Sequence, residues 1–341
     1  YQIYYLIKKS MSLFSIGTFN VLNLALPGVQ FYESQTPYSV REYERRCQWI
    51  GSQMDLMAAD ILACQEIFNL QALKGAVACS QYMGQAHVLA PQTDQTPLKP
   101  RLALLSRFPI VEFSCHTEIA LLDQVTPPGL VPHRYFSRPV LEALIDVNHQ
   151  KLRLFTVHLK SKRPDLLEGE DEQDPAVYAR AVARSLVKRT TEALALRQLI
   201  VQRLLHTPEP LIVLGDFNDS ATAATTQLIS ATSLRQGKQY ERNCMLFDAF
   251  DLQRVRHFPY IGAQRRDANA TYVHEQMPET IDHIFVSEEF APFSPQAVGF
   301  VEQVEYFSDH LIARNRTERE ARVFSDHAQV VAQLNWHTAV S

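Results

Sequence analysis

The sequence predicts a mixed fold in which β-strands alternate with α-helices, and two patterns support this prediction. Seven short runs have the composition of strands, and several of them alternate apolar and polar residues. Between these runs lie one stretch whose apolar residues recur with the period of an amphipathic helix and a longer stretch that two prolines delimit as a helix. We therefore expect both kinds of element along the whole chain.

The strand predictions come from short runs of β-type residues, many of which end in a polar residue. Residues 211–214 read LIVL and are apolar throughout, which is typical of a strand covered on both faces. The seven runs are residues 13–20, 60–66, 101–106, 151–160, 210–219, 280–287 and 327–334. Loops at strand ends often carry chemistry, so the polar residues that end these runs are candidates for a functional site.

Two helices are predicted between the strands. The first is indicated by apolar residues at steps of four and three along one face, which are Tyr43, Cys47, Ile50, Met54 and Met57. The second is longer and covers about residues 176–206. Pro175 suits its first turn and Pro208 marks its end.

Residues 165–174 are strongly acidic, with six acidic side chains and no basic one, and we interpret them as a solvated surface loop. No comparable linker divides the rest of the chain, so we expect a single domain over residues 11–341. We expect translation to start at Met11, which makes residues 1–10 an N-terminal extension.

Composition limits the class of protein. The chain of 341 residues has 33 Lys and Arg against 37 Asp and Glu, a net charge of −4, which excludes a strongly basic nucleic-acid-coating protein. Its 46% hydrophobic and 21% charged residues are typical of globular domains, and no apolar run is long enough to span a membrane. Five cysteines without a CxxC motif do not indicate a disulfide framework. We expect a soluble, cytoplasmic monomer.

Polar residues at the strand ends could hold a metal ion. They are Asn20, Glu66, His158, Asp216 with Asn218, Asp282 with His283, and Asp326 with His327. Carboxylate and amide oxygens without thiolates favour Mg²⁺ or Mn²⁺ over structural zinc. Each residue alone also has an ordinary interpretation: Glu66 as a strand-end charge, residues 215–219 as a turn, and His158 as a hydrogen-bonded structural imidazole.

The order of these motifs is more specific than any one of them. Strands ending in FN and QE are followed by VHLKSK, GDFND, TIDHIFVS and finally SDH. This series, from residue 13 to about residue 336, resembles the endonuclease/exonuclease/phosphatase superfamily, the metal phosphoesterases similar to pancreatic deoxyribonuclease and exonuclease III. The segments LLSRFPI and FSRPVLEALI also look like middle strands of that family.

The resemblance implies an α+β fold, an α/β/β/α four-layer sandwich of two packed, mainly antiparallel sheets flanked by helices, with the active site at one rim. It implies a Mg²⁺ or Mn²⁺ ion with Glu66 as its main carboxylate and Asn20 and Asp326 beside it. The other implied roles are catalytic: Asp216 orients or deprotonates the attacking water, Asn218 holds this water or a phosphate oxygen, His158 faces the phosphate, and His327 lies against the scissile phosphate, oriented by Asp282.

The SDH motif occurs twice, at residues 308–310 and 325–327. The second copy precedes a run that alternates like a closing strand, whereas the first leads into a charged run. We therefore assign the site to Asp326 and His327, and Asp309 and His310 to a loop. His133 and Tyr135 stay outside the catalytic set.

The substrate is less well indicated. Lys160 and Lys162 follow His158 and are predicted to bind substrate. Arg180, Arg184 and Lys188 form a basic stripe that could hold a nucleic-acid backbone or be an ordinary solvated helix face. Residues 270–279 could be a substrate-side loop or a rim strand.

The sequence thus favours a metal-dependent phosphodiester hydrolase, most simply a nuclease of broad specificity. The net charge and the acidic loop argue against binding to an extended duplex. The alternatives are a phosphatase or phospholipase-type enzyme acting on inositol phosphates or sphingomyelin, and an inactive binding module.

Overall fold

A computed structural model describes residues 11–91, 99–119, 133–231, 244–253, 269–312 and 322–337. The predicted N-terminal extension, residues 1–10, lies outside these ranges. The strands are β1 Met11–Leu24, β2 Ile61–Ile67, β3 His87–Leu89, β4 Arg101–Ser106, β5 Ile110–Glu118, β6 Tyr135–Val147, β7 Gln150–His158, β8 Leu211–Asp216, β9 Phe247–Asp248, β10 Tyr272–His274, β11 Met277–Glu279, β12 Asp282–Val286, β13 Gly299–Phe307 and β14 Gln329–His337. The helices are α1 Val40–Met57, α2 Leu70–Val77, α3 Pro175–His206, α4 Ala224–Ser230, α5 Ala249–Leu252 and α6 Asp309–Ile312, with a 3₁₀ turn at Glu288–Phe290.

The strands form two six-stranded mixed sheets and a small hairpin of β10 and β11. The first sheet has the order β13-β14-β1-β2-β4-β3, and the second has the order β5-β6-β7-β8-β12-β9. Within them β1 pairs with β2 and β7 with β8 in parallel, while the other pairs are antiparallel. All seven predicted strands are present, and the predicted α+β sandwich of two mainly antiparallel sheets is confirmed.

Three apolar layers hold the sandwich together. The central layer lies between the sheets and contains Phe14, Trp336 and Phe290, whose rings contact one another. A second layer packs α1 and α2 on the first sheet, and a third packs α3 on the second sheet. Burial of these apolar faces is the main favourable contribution to folding.

Both predicted helices form, and their ends follow from local sequence. Ser39 and Glu42 make a reciprocal capping box at the start of α1, whose buried face includes the predicted apolar residues Cys47, Ile50, Met54 and Met57. At the start of α3, the Asp174 carboxylate accepts two backbone N–H groups of the first turn.

The strand register brings several predicted site residues to one rim. In the second sheet Asp216, at the end of β8, is the partner of His158 at the end of parallel β7 and of Asp282 at the start of antiparallel β12. Gly215 makes this approach possible, since its φ is +143° and a Cβ there would lie 2.0 Å from the Val157 carbonyl oxygen.

The acidic loop is a surface loop as predicted, and it folds back on α3. Asp165 pairs with Lys188 at 2.7 Å, and Glu170 pairs with Arg184. Two of the three cations in the basic stripe therefore have carboxylate partners. Within the described ranges, no helix combines the length and the apolar character needed to cross a membrane.

Candidate active site

Asp216 is at the centre of the rim and is almost completely buried. Its Oδ1 accepts the Asn218 backbone N–H at 2.8 Å. Its Oδ2 accepts from Asn20 Nδ2 at 3.1 Å and lies 3.3 Å from His158 Nε2. Burial raises the pKa of Asp216 to about 7; the His327 charge opposes this rise and the Asp282 charge adds to it. A carboxyl group that titrates near neutral pH is suited to act as a general base.

His327 and Asp282 form a buried pair beside Asp216. His327 Nδ1 donates to Asp282 Oδ2 at 2.9 Å, and His327 Nε2 is directed to Asp216 Oδ2 at 3.8 Å. Burial lowers the pKa of His327, but the Asp282 and Asp216 carboxylates outweigh burial and hold this pKa well above its ordinary value. His327 is therefore an imidazolium at neutral pH.

His158 has the opposite electrostatic environment. Its side chain is buried, and burial, reinforced by the charges of Arg138 and His327, holds its pKa well below the ordinary value. Its Nδ1 is buried and has no hydrogen-bond partner among the described residues. His158 is therefore a neutral imidazole at neutral pH.

Glu66 lies next to this cluster in a strained backbone conformation. Its φ of +65° is in the left-handed region, and Leu22 and Asn23 opposite it also have positive φ values. The Glu66 carboxylate accepts from Asn20 Nδ2 at 3.2 Å and from the Asn23 backbone N–H at 3.0 Å. Such conformations cost energy and are concentrated at functional sites.

The residue types at this rim suit a divalent cation. Glu66 is half-exposed and Asp326 is exposed, so solvent and a hydrated ion have access to each carboxylate. Asn20 is placed with its nitrogen, not its oxygen, toward Glu66, and in this orientation it positions the carboxylate. A second candidate group is Asp216, Asp282 and His327, whose ligand atoms lie within 4.8 Å of one another. We favour Glu66, since His327 Nδ1 and Asp282 Oδ2 are already hydrogen-bonded to each other.

The predicted substrate lysines have other contacts. Lys160 Nζ donates to the carbonyl oxygens of Ser161 and Arg163 and to Ser185 Oγ. Lys162 Nζ donates to Glu279 at 2.7 Å. Asn218 lies at the rim, where its Nδ2 donates to the Leu159 carbonyl oxygen at 3.0 Å.

Some contributors to the site were not predicted. Ser325 Oγ donates to the Asn20 carbonyl oxygen at 2.6 Å and thus joins the two chain segments. His310, assigned above to a loop, contacts the carbonyl oxygen of His327 through its Nε2 at 2.8 Å. Tyr272 packs its ring 5.1 Å from that of His327. The repeated SDH motif was a signal for His310, since both copies contribute to one site.

The structure therefore gathers Asn20, Glu66, His158, Asp216, Asn218, Asp282 and His327 at one rim through direct contacts. Asp326 directly precedes His327 in the chain and is exposed. The ammonium groups of the two lysines lie against other partners.

Comparison with known proteins agrees with this fold. The model of the Endonuclease/Exonuclease/phosphatase family matches residues 17–327. A family member from Bacteroides thetaiotaomicron superposes with a TM-score of 0.57 at 16% identity, covering 96% of this chain and 98% of that one. A mannosyl-6-phosphatase of the same organism gives 0.55 at 17% identity, covering 94% and 99%. Humanized TDP2 from D. rerio gives 0.52 at 16%, covering 95% and 99%. A comparison with curated proteins finds no match.

Proposed function

Since the chain belongs to the endonuclease/exonuclease/phosphatase family of metal-dependent phosphoesterases, we propose that it is a Mg²⁺- or Mn²⁺-dependent hydrolase of phosphodiesters, a nuclease that acts on short or single-stranded substrates. The observation that supports this proposal best is the placement of Asp216 between His158 and His327, whose surroundings shift their pKa values in opposite directions. This arrangement places a proton acceptor beside a cationic donor.

Each residue has a role in hydrolysis. Asp216 accepts a proton from the attacking water, and Asn218 holds the Asp216 carboxylate in position. His327, fixed by Asp282, presents its Nε2–H beside Asp216, where its charge stabilises negative charge on the phosphate as it develops. Neutral His158 contributes a second ring for a phosphate oxygen. A divalent cation held by Glu66 and Asp326 supplies Lewis-acid stabilisation of the phosphate when bound.

The charges around the rim favour a short substrate. Lys162 pairs with Glu279, Arg184 with Glu170 and Lys188 with Asp165. A duplex-binding protein needs cations that are free to replace the counterions of several phosphates. Because these three cations already have carboxylate partners, they are poorly suited to bind the phosphates of a long nucleic-acid backbone.

The same pairing favours a second candidate, a phosphatase that acts on a small phosphate ester. Such a substrate needs only the residues at the rim itself and no extended basic surface. An inositol phosphate or a sugar phosphate would meet this requirement. Lipid hydrolysis of the sphingomyelin type has no specific support from the described surface.

We also propose a cytoplasmic location. All five cysteines are free thiols, and Cys79 and Cys115 are exposed. Exposed thiols remain free in a reducing compartment. Immunofluorescence of the tagged chain in its source cells tests this location, and a signal confined to a secretory or periplasmic compartment would contradict it.

The activity is tested by turnover of bis-p-nitrophenyl phosphate and p-nitrophenyl phosphate with Mg²⁺ or with EDTA. Single-stranded DNA, duplex DNA, RNA and inositol phosphates are compared in parallel. We expect Mg²⁺-stimulated cleavage of the diester and of single strands, and loss of activity in Asp216→Ala but not in Asp146→Asn, a carboxylate near the end of β6 that pairs with Lys151 of β7. Cleavage of monoesters only would support the phosphatase, and no cleavage of any substrate would support the inactive binding module.

A further inference from the structure

Arg46 is a completely buried cation beneath the metal-side edge of the site, and the catalytic roles above do not use it. It projects from α1, and its side chain is 0% exposed. Its guanidinium donates to the carbonyl oxygens of Val21 and Leu22, and to that of Arg322 at 2.7 Å. Arginine is rarely buried to this extent, so these contacts must offset a large desolvation cost.

The carbonyl groups that Arg46 binds belong to two backbone segments next to the candidate metal carboxylates. Leu22 and Asn23 form a left-handed irregularity near the end of β1, where the strand register shifts, and the backbone N–H of Asn23 donates to Glu66 at 3.0 Å. On the other side, residue 322 begins the segment that leads to Asp326. One guanidinium group therefore joins the support of Glu66 to the support of Asp326.

Neighbouring groups hold the Arg46 side chain in this position. Its guanidinium lies 5.3 Å from the ring centre of Tyr38, and the Arg322 guanidinium lies 5.0 Å from the same ring. Burial lowers the pKa of Arg46, but Tyr38, Glu66 and Asp326 oppose this effect and favour the charged form. A planar fork of donors can bind several carbonyl groups at once, which a lysine ammonium cannot do in the same geometry.

We propose that Arg46 is a positioning residue for the divalent cation: it fixes both backbone segments so that Glu66 and Asp326 are in place before the ion binds. This inference depends on the cation site of the proposed function. It assigns Arg46 no contact with substrate or with the ion.

Two effects of Arg46 oppose each other, and this makes the inference testable. The buried positive charge of Arg46 near Glu66 and Asp326 repels the metal ion. A purely electrostatic role therefore predicts tighter metal binding when this charge is removed. A positioning role predicts weaker binding even when the charge is kept. Arg46→Lys keeps the charge and loses the fork, so it separates the two roles.

The experiment measures Mn²⁺ affinity of the full chain without substrate, by electron paramagnetic resonance of free Mn²⁺ and by calorimetry. We expect Arg46→Lys to bind Mn²⁺ about 10–100-fold more weakly than the wild type, the range seen when outer-shell partners of metal ligands are changed. The matched control is Arg197→Lys. Arg197 is partly buried and, like Arg46, donates to backbone carbonyl groups, those of Ile229 at 3.3 Å and Cys244 at 2.6 Å, in a different part of the fold. The Arg197→Lys substitution should lower the melting temperature and leave the Mn²⁺ affinity unchanged.

If Arg46→Lys does not fold, Tyr38→Leu removes the ring that supports the guanidinium and should weaken Mn²⁺ binding in the same direction. Unchanged or tighter Mn²⁺ binding in the folded variant would overturn the inference, as would equal weakening in Arg197→Lys. In either case the wild type still binds Mn²⁺ and the proposed function stands. If the wild type itself binds no Mn²⁺, the cation site and the inference fail together.

Discussion

Removal of the Asp282 charge tests how the catalytic imidazolium is maintained. In Asp282→Asn the carboxylate that accepts from His327 Nδ1 at 2.9 Å becomes a neutral amide of similar shape. A hydrogen bond to a charged group contributes about 1.5–3 kcal/mol, and one pH unit corresponds to about 1.4 kcal/mol. The pKa of His327 should therefore fall by roughly one to two pH units.

The sign of the pH effect follows from the direction of this change. The pKa of His327 is raised in the wild type, so its charged form is present below that pKa and is lost as the pH rises through it. In Asp282→Asn this loss should begin roughly one to two pH units lower. At neutral pH kcat should fall about 10–10²-fold, from the same free energy.

The assay is steady-state hydrolysis of bis-p-nitrophenyl phosphate at saturating Mg²⁺ from pH 5 to pH 10. Asp309→Asn, in the first SDH motif, is the matched control, because Asp309 is exposed and outside the cluster. It should leave the profile unchanged. If the basic limb of the pH profile lies at the same pH in Asp282→Asn and in the wild type, Asp282 does not raise the pKa of His327, whatever the change in kcat.

Three further predictions concern single side chains. Asp216→Ala should reduce kcat about 10²–10⁴-fold on the same substrate, and a loss of less than tenfold would exclude a general base. His327→Ala should abolish turnover, whereas His310→Ala, which removes only a contact to the His327 carbonyl oxygen, should retain measurable kcat; the reverse order would reassign the catalytic SDH motif. Glu142→Gln should lower the free energy of unfolding by about 1.5–3 kcal/mol at pH 7, because it removes the carboxylate that the buried Arg153 and the partly buried Arg203 share. The pKa of Glu142 is lowered to about 2, so the difference in unfolding free energy between the wild type and Glu142→Gln should shrink as the pH falls from about 4 toward 2. Urea denaturation measures this difference, and a value that stays constant over this pH range would contradict the prediction.

Much of the rim could be predicted from sequence because it is built from strand ends. Asp216, His158 and Asp282 each occur where a predicted strand begins or ends, and the strand register then makes them neighbours. Local patterns predict the strands, and strand pairing then places their ends at one rim. The long helix was predictable for a similar reason, since Pro175 and Pro208 limit it locally.

Contacts between distant segments could not be predicted in this way. Arg46 lies on an amphipathic helix, where an arginine normally indicates the solvated face, yet it binds a carbonyl group 276 residues away. The position of His310 next to His327 is equally non-local, since α6 has to fold against the start of β14. The left-handed conformation of Glu66 is also absent from local sequence signals, because only glycine and asparagine commonly indicate it.

The substrate lysines were predicted from their proximity to His158 in the chain alone. Lys160 instead turns to Ser161, Arg163 and Ser185, and Lys162 reaches Glu279. Sequence distance from a site residue does not determine the direction of a long flexible side chain. Their role in binding substrate stays a prediction.

The location of the bound cation is the most direct test of the proposed catalytic roles. Crystals soaked in Mn²⁺ and measured near the manganese absorption edge would show the ion by anomalous scattering. We expect a peak within bonding distance of a Glu66 carboxylate oxygen, with Asp282 still hydrogen-bonded to His327. A peak between Asp216, Asp282 and His327 instead would contradict these roles, because those groups could not then transfer protons as proposed.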